Sequence, residues 1–263
     1  MSSPLRIYLS GRLSIEANGV LLGPDAFPGQ QGRAAFALLA GEAGSPVSRN
    51  VLADALWPGR PPRAWNAALN SIISKLRATL GGVGLDGAAV LLSGGGCYEL
   101  RLPAGSWIDH AAALDAIHEA ESALKDGDPA RAYGPSAVAH HIARRPFLPG
   151  EEGAWFEQRR EKMASILARA LECRAAVYLW NDEHALAVEA AREAVALHPF
   201  RETGWQLLMR AHAAAGNTAE ALRSYDRCRR LIADELGVPP SRETQAVHGE
   251  LLAGLPGGVR PGA

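Results

Sequence analysis

The chain has 263 residues, 48% of them apolar and 21% charged, with a formal net charge of −1. That composition excludes a mainly disordered chain, and the length suits two cores better than one at about 150 residues per domain. Cys97, Cys173 and Cys228 lie far apart without a C-x-x-C pair, which excludes a disulfide framework or a cysteine-based zinc site, and no stretch approaches the roughly 18 unbroken apolar residues of a membrane span. Met1 to Arg6 also lacks the apolar core of a signal peptide, so a soluble cytoplasmic protein is expected, with no membrane partner.

Leu5, Ile7 and Leu9 alternate with more polar residues, and the runs Leu13 to Glu16 and Val20 to Leu22 flank Asn18-Gly19. Asn-Gly between alternating runs is the strongest short hairpin signal, because both turn residues must take positive φ. Ala34 to Ala43 reads as a first helix, broken by Gly44-Ser45-Pro46. Ser48 is placed to cap a second helix carrying Val51, Leu52, Ala55 and Leu56, which Pro58 stops.

The third helix has the clearest pattern of this half. Trp65, Ala68, Leu69, Ile72, Ile73, Leu76 and Leu80 recur at helical spacing and form one apolar face. At about 100° per residue, Asn66, Asn70, Ser74 and Arg77 align on the other side, with Ser71 and Lys75 on its flank. Strand-like Ala89 to Leu92 and Tyr98 to Leu102 then surround Ser93-Gly94-Gly95-Gly96, a second hairpin. Sheet, three helices and a closing hairpin are the order of a winged helix whose third helix enters the major groove.

The charge supports that placement locally. Between residues 1 and 100 eight basic side chains stand against six acidic ones, and from Arg49 to Arg77 five bases accompany the single acid Asp54. A helix face without a carboxylate suits nucleic acid. Asn can bond adenine N6 and N7, Arg can bond guanine O6 and N7, and Ser and Lys suit phosphates. Arg101, beside the second hairpin, is within reach of a backbone phosphate. Any single amphipathic helix also has a solvated side, and that plainer reading of the face is weighed beside the first.

Beyond Pro103 the chain turns Ala-rich and helical. Helices are expected over 109–124, from the Asp128-Pro129 start, over 155–179, 183–197, 202–215 and 218–236, and after Ser241 to Leu252. Leu171 recurs as Trp205, Tyr178 as His212, Ala187 as Ala221, Ala191 as Tyr225 and Ala194 as Cys228, always 34 residues on, the period of tetratricopeptide helix pairs. Small Ala at matching positions lets paired helices approach, and the larger residues are expected to pack rather than to bind ligands. Arg223, Arg227, Arg229 and Arg230 lie near Asp226, Asp234 and Glu235 and read as a solvated face.

The fold expected is therefore mainly α with a small antiparallel β component: a winged helix over 1–104 and an all-α tetratricopeptide-like domain over 105–263. No G-x-x-x-x-G-K-[ST], H-E-x-x-H or G-x-S-x-G occurs, and His110, His118, His140 and His141 lack metal-ligand spacing. Glu151, Glu152 and Glu157 sit at a helix start, where acids favour the positive end of the dipole. No catalytic residue, cofactor or metal is expected, and the protein is read as a non-enzyme.

Several motifs carry a family resemblance. His198, Pro199, Arg201, Glu202, Trp205, Leu207, Leu208 and Met209 are followed by Ala215, Gly216, Glu220, Ala221, Leu222 and Tyr225, and then by Glu235-Leu236-Gly237-Val238 with Pro240-Ser241. Val47-Ser48-Arg49, Leu56-Trp57-Pro58 and Ile73-Ser74-Lys75-Leu76-Arg77 precede them. Together these resemble the SARP family of bacterial transcriptional activators, in which a winged helix precedes a bacterial transcriptional activator domain. The resemblance implies promoter DNA and RNA polymerase as partners, with the helical domain contributing to homodimer formation and polymerase contact. It marks Ser74, Lys75 and Arg77 as DNA-contacting residues, to which the helix-face argument adds Asn66, Asn70 and Ser71. The contrasting expectation is a helical-repeat adaptor whose winged helix binds protein instead of DNA.

Overall fold

The computed structural model describes residues 4–254. The chain opens with β1 (Arg6–Tyr8), β2 (Ser14–Ala17), β3 (Val20–Leu22), α1 (Gly29–Gly41), β4 (Val47–Ser48), α2 (Arg49–Leu56) and α3 (Trp65–Gly81). It continues through α4 (Gly87–Val90), β5 (Leu91–Gly94), β6 (Cys97–Leu100) and β7 (Trp107–Ile108). The helices α5 (Asp109–Lys125), α6 (Pro129–Ala143), α7 (Ala154–Trp180), α8 (His184–Leu197), α9 (Glu202–Ala214), α10 (Thr218–Leu236) and α11 (Arg242–Leu252) follow.

The chain forms two compact units. One takes the chain up to Ala112 together with Arg145–Met163, and the other takes Ala113–Arg144 together with the chain from Ala164 on. This division crosses the chain at three places, unlike a single cut at 104/105, because the segment from Arg145 returns to the N-terminal strands. Gly11 N–H donates to Pro146 O at 2.8 Å and Leu148 N–H to Leu9 O at 3.0 Å. Trp155 packs against Gly41, where a Cβ would meet its ring at 2.6 Å, and its indole N–H donates to Glu42 at 3.1 Å.

In this first unit the strands form one sheet of order β3-β2-β1-β7 and another of order β4-β6-β5. Asn18 and Gly19 take φ of 52° and 77°, so the hairpin joining β2 to β3 turns where the sequence places it. The partner β7 adds in parallel to β1, Arg6 opposite Trp107 and Ile7 opposite Ile108, which makes the β component not wholly antiparallel. Two residues are too short a run to show a period of two, so no alternation announces that strand. The run expected as a strand from Ala89 is divided: Asp86 accepts from the N–H groups of Ala88 and Ala89 at 2.9 and 3.2 Å, winding the helical turn α4, and the strand begins at Leu91.

The three larger helices bury the face their spacing defines. Leu69, Ile73, Leu76 and Leu80 of α3 are sealed from solvent, as are Phe36, Leu38 and Leu39 of α1 and Leu52 of α2. Ser48 Oγ accepts from Val51 N–H at 3.2 Å and so caps α2. With β5 and β6 as the wing, this is a winged helix. Gly87 fixes how closely the wing follows α3: a Cβ there would lie 2.2 Å from the Arg77 carbonyl oxygen, so only glycine fits between the two helices.

In the second unit α8 packs on α9, α9 on α10, and α11 on both α9 and α10. Leu171, Tyr178, Ala187, Ala191, Ala194, Trp205 and Cys228 share one buried cluster, and Ala221 with Tyr225 joins a second one around Met209 and Val247. The 34-residue echo is thus a packing repeat, and the unit is tetratricopeptide-like. The Arg-Glu pair after His198-Pro199 is structural. Arg201 donates in a bidentate pair to Glu172 of α7 at 3.0 and 2.6 Å, while Glu202 accepts from the Ser241 backbone N–H at 3.0 and 2.9 Å and from its hydroxyl at 2.8 Å. Ser241 in turn accepts from Thr244 N–H, capping α11.

Candidate nucleic-acid interface

The outer side of α3 is an exposed polar ridge of the winged-helix unit. Asn66, Asn70, Ser71, Ser74 and Lys75 are all exposed along it, and neither α3 nor the Trp57–Ala64 approach to it contains a carboxylate. The ridge therefore presents amides, hydroxyls and a cation, and the carboxylate of the wing strand β6, Glu99, is paired with Arg101. Lys75, Arg60 and Arg63 make no ion pair among the described residues, whereas Arg12, Arg33 and Arg101 are each paired with an acid. An unpaired cation on an exposed surface leaves its charge available to an anion.

One residue that the helix-face argument does not include organises the ridge. Arg49, the first residue of α2, donates from Nε to Asn66 Oδ1 at 3.1 Å and from Nη2 to Asn70 Oδ1 at 2.9 Å and to the Asn66 carbonyl at 3.2 Å. Its Nη1 donates to Tyr98 Oη at 2.7 Å, and the Tyr98 hydroxyl donates onward to Asn70 Oδ1 at 2.8 Å. The guanidinium also lies 5.3 Å from the centre of the Tyr98 ring. Tyr98 is almost wholly buried in β6, so the network ties the start of α2, the ridge of α3 and the wing into one piece. The sequence signal was Val47-Ser48-Arg49, where Arg49 follows the cap of a helix that crosses the first turns of α3.

Two of the sequence-selected cations are engaged elsewhere. Arg77 turns off the ridge: its Nε and Nη2 donate to the Leu91 carbonyl at 3.0 and 2.8 Å, and Nη2 also reaches Ser93 Oγ at 3.2 Å. In this position it fastens the first wing strand to α3. Arg101, just past the end of β6, forms a bidentate pair with Glu99, two residues back, at 3.0 Å to each oxygen. That pair is exposed and weak, so a phosphate can compete for the guanidinium.

Elsewhere the polar clusters are occupied. Arg223 pairs with Glu220, and Arg229 and Arg230 both pair with Asp226, as befits a solvated face. Glu151 pairs with Arg33 and Glu157 with Arg160. Among the described residues no three His, Cys, Asp or Glu side chains converge on a metal-sized site. Burial pushes the Cys173 and Cys228 thiols up to about 12, far from the reactive range. No helix among the described residues is long and apolar enough to cross a membrane.

Comparison with known proteins agrees with the class this fold defines, a winged-helix regulator joined to a helical repeat. The family model for the bacterial transcriptional activator domain matches residues 108–252, and the chain belongs to the SARP-type family of regulators that carry this domain. Regulatory protein AfsR of Streptomyces coelicolor is 34% identical over 226 residues, covering 86% of this chain and 22% of AfsR. Transcriptional regulatory protein EmbR of Mycobacterium tuberculosis is 29% identical over 264 residues, covering 94% of this chain and 63% of EmbR. The solved structure of M. tuberculosis EmbR in complex with a low-affinity phosphopeptide superposes with a TM-score of 0.85 at 25% identity, over 96% of this chain and 66% of that one. The chain thus spans less than two thirds of the length of each of these relatives.

Proposed function

We propose that this chain is a sequence-specific, DNA-binding transcriptional activator, in which the winged-helix unit binds DNA and the helical unit supports homodimer formation and polymerase contact. The observation that carries the reading is the exposed ridge of Asn66, Asn70, Ser71, Ser74 and Lys75, free of carboxylates and flanked by a wing. Seated in the major groove, such a ridge places amides and hydroxyls at base edges and Lys75 at a phosphate. Arg77 holds the wing to the ridge, and Arg101 exchanges Glu99 for a backbone phosphate. Kinship with transcriptional regulators supports the same reading, and its setting is the cytoplasm, where promoter DNA and polymerase meet.

Fluorescence anisotropy of the full chain on fragments of its own upstream region, titrated with salt, tests this. Phosphate contacts make log K fall linearly with log salt, and Lys75→Ala should reduce the slope by about 1. A flat salt response with wild-type protein, or no bound fragment at any salt, sinks the DNA reading in favour of a protein-binding adaptor.

A further inference from the structure

Hydrogen-bond capacity, counted lone pair by lone pair, gives the ridge a base preference. A side-chain amide oxygen offers two lone pairs. Both are occupied at Asn70 Oδ1, one by Arg49 Nη2–H at 2.9 Å and one by the Tyr98 hydroxyl at 2.8 Å. At Asn66 one of the two is taken by Arg49 Nε–H at 3.1 Å. Asn70 therefore turns only its Nδ2 hydrogens outward, and it cannot make the two-way adenine contact that a free asparagine makes, which needs the oxygen to accept from N6 while the nitrogen donates to N7.

Resting on the DNA-binding reading above, we propose that Arg49 and Tyr98 are positioning residues that convert Asn70 into a donor-only reader, so that the base it faces is guanine. Guanine offers two acceptors, N7 and O6, at its major-groove edge, one for each amide hydrogen; thymine offers the single acceptor O4 beside its methyl group, adenine one acceptor beside a donor, and cytosine its N4 donor. The neighbours reinforce the choice. Lys75 can only donate, and the Ser71 and Ser74 hydroxyls adapt to either partner. The network is held from three elements, with Arg49 at the start of α2, Asn70 on α3 and Tyr98 buried in β6, so the orientation of the amide is set before DNA arrives.

Selection from a randomised duplex library with the full chain reads this directly. The position that Asn70 faces is the one whose preference Asn70→Ala erases. Wild type is expected to favour guanine over adenine there by about fivefold or more, the low end of what one side-chain contact discriminates. Tyr98→Phe, which keeps the ring and frees one lone pair, and Arg49→Met, which keeps the stem and removes the donors, should each move that position toward adenine. With Tyr98→Phe the preferences at the other positions should stay in place, and with Arg49→Met only the position that Asn66 faces should change besides, because Arg49 also holds Asn66. Asn70→Asp, with acceptors only, should lose guanine altogether. Adenine selected by wild type, or variants that weaken binding evenly at every position while guanine stays preferred, overturns the assignment and makes Arg49 a plain structural or phosphate-binding residue. No enriched sequence at all would instead remove the DNA reading itself, a distinct outcome.

Discussion

The two units use their recognisable residues in opposite ways. In the helical unit the polar and aromatic motif residues after His198 serve the fold: Trp205 donates its indole N–H to the Pro199 carbonyl at 2.8 Å, Arg201 clamps Glu172, and Glu202 holds the cap of α11. In the winged helix the motif is divided. Val47, Ile73 and Leu76 are buried, Arg77 and Tyr98 brace the wing, and Ser74 and Lys75 remain exposed beside Asn70. A residue that matches a family pattern is thus a candidate contact only if its donors and acceptors are still available after folding. In this chain that condition retains Ser74 and Lys75 and makes Arg77 a brace.

The contrast between the units is also electrostatic, and acid should break it first in the winged helix. Burial, with a smaller effect from Arg159, lowers His110 from its usual 6.5 to about 4, while the nearby Glu42 opposes this. The folded chain keeps that imidazole neutral where the unfolded chain already binds a proton, so stability falls as pH drops from 6.5 towards 4. Up to about 3 kcal/mol is lost across this window at 1.36 kcal/mol per unit. Burial raises neighbouring Asp109, which works the other way below neutral pH, so the comparison needed is wild type against His110→Gln. The variant should show a shallower decline in melting temperature between pH 7 and pH 4.5. An identical decline would mean that His110 is protonated in the folded state.

A second test removes a clamp from the helical unit. Arg201→Ala leaves Glu172, whose side chain is 8% exposed, without its bidentate partner. Breaking a fully buried pair costs about 3–5 kcal/mol. Because Arg201 is 40% exposed and partly screened, about 2 kcal/mol is expected in urea unfolding. DNA binding measured well below the unfolding midpoint should be little changed, since the ridge lies in the other unit.

Gly87→Ala tests the winged helix in the corresponding way. Its Cβ would overlap the Arg77 carbonyl, so α4 and the wing must shift, at about 1–3 kcal/mol. Here affinity should fall together with stability, because the Arg77–Leu91 brace moves as well. Loss of stability without loss of affinity would separate the wing from the ridge. Smallest is the effect of Lys75→Ala, which should leave the unfolding free energy within about 0.5 kcal/mol of wild type, as for other exposed positions without partners. Its mark is on the salt slope alone.

Much of this was legible in the sequence because it rests on local periodicity and local chemistry. The Asn18-Gly19 turn, the Ser48, Asp128 and Ser241 caps, the apolar face of α3 and the 34-residue echo all depend on residues a few positions apart or on a repeated spacing. Hydropathy alternation could not reveal β7, a two-residue strand that pairs with β1 a hundred residues away, nor the return of the segment from Arg145 to the first unit. The list of polar residues on the ridge was readable from a helical wheel. Which of them keep a free donor was not, since the Arg49 and Tyr98 side chains reach Asn70 across 21 and 28 residues.

The sequence by itself determined the class of each unit and the side of α3 that faces out, because a periodic apolar stripe must be buried and its opposite side must not. Tertiary structure alone decided what that outer side can say to a partner. Hydrogen-bond valence is finite, and only the folded arrangement of α2, α3 and β6 reveals which lone pairs the protein has already filled.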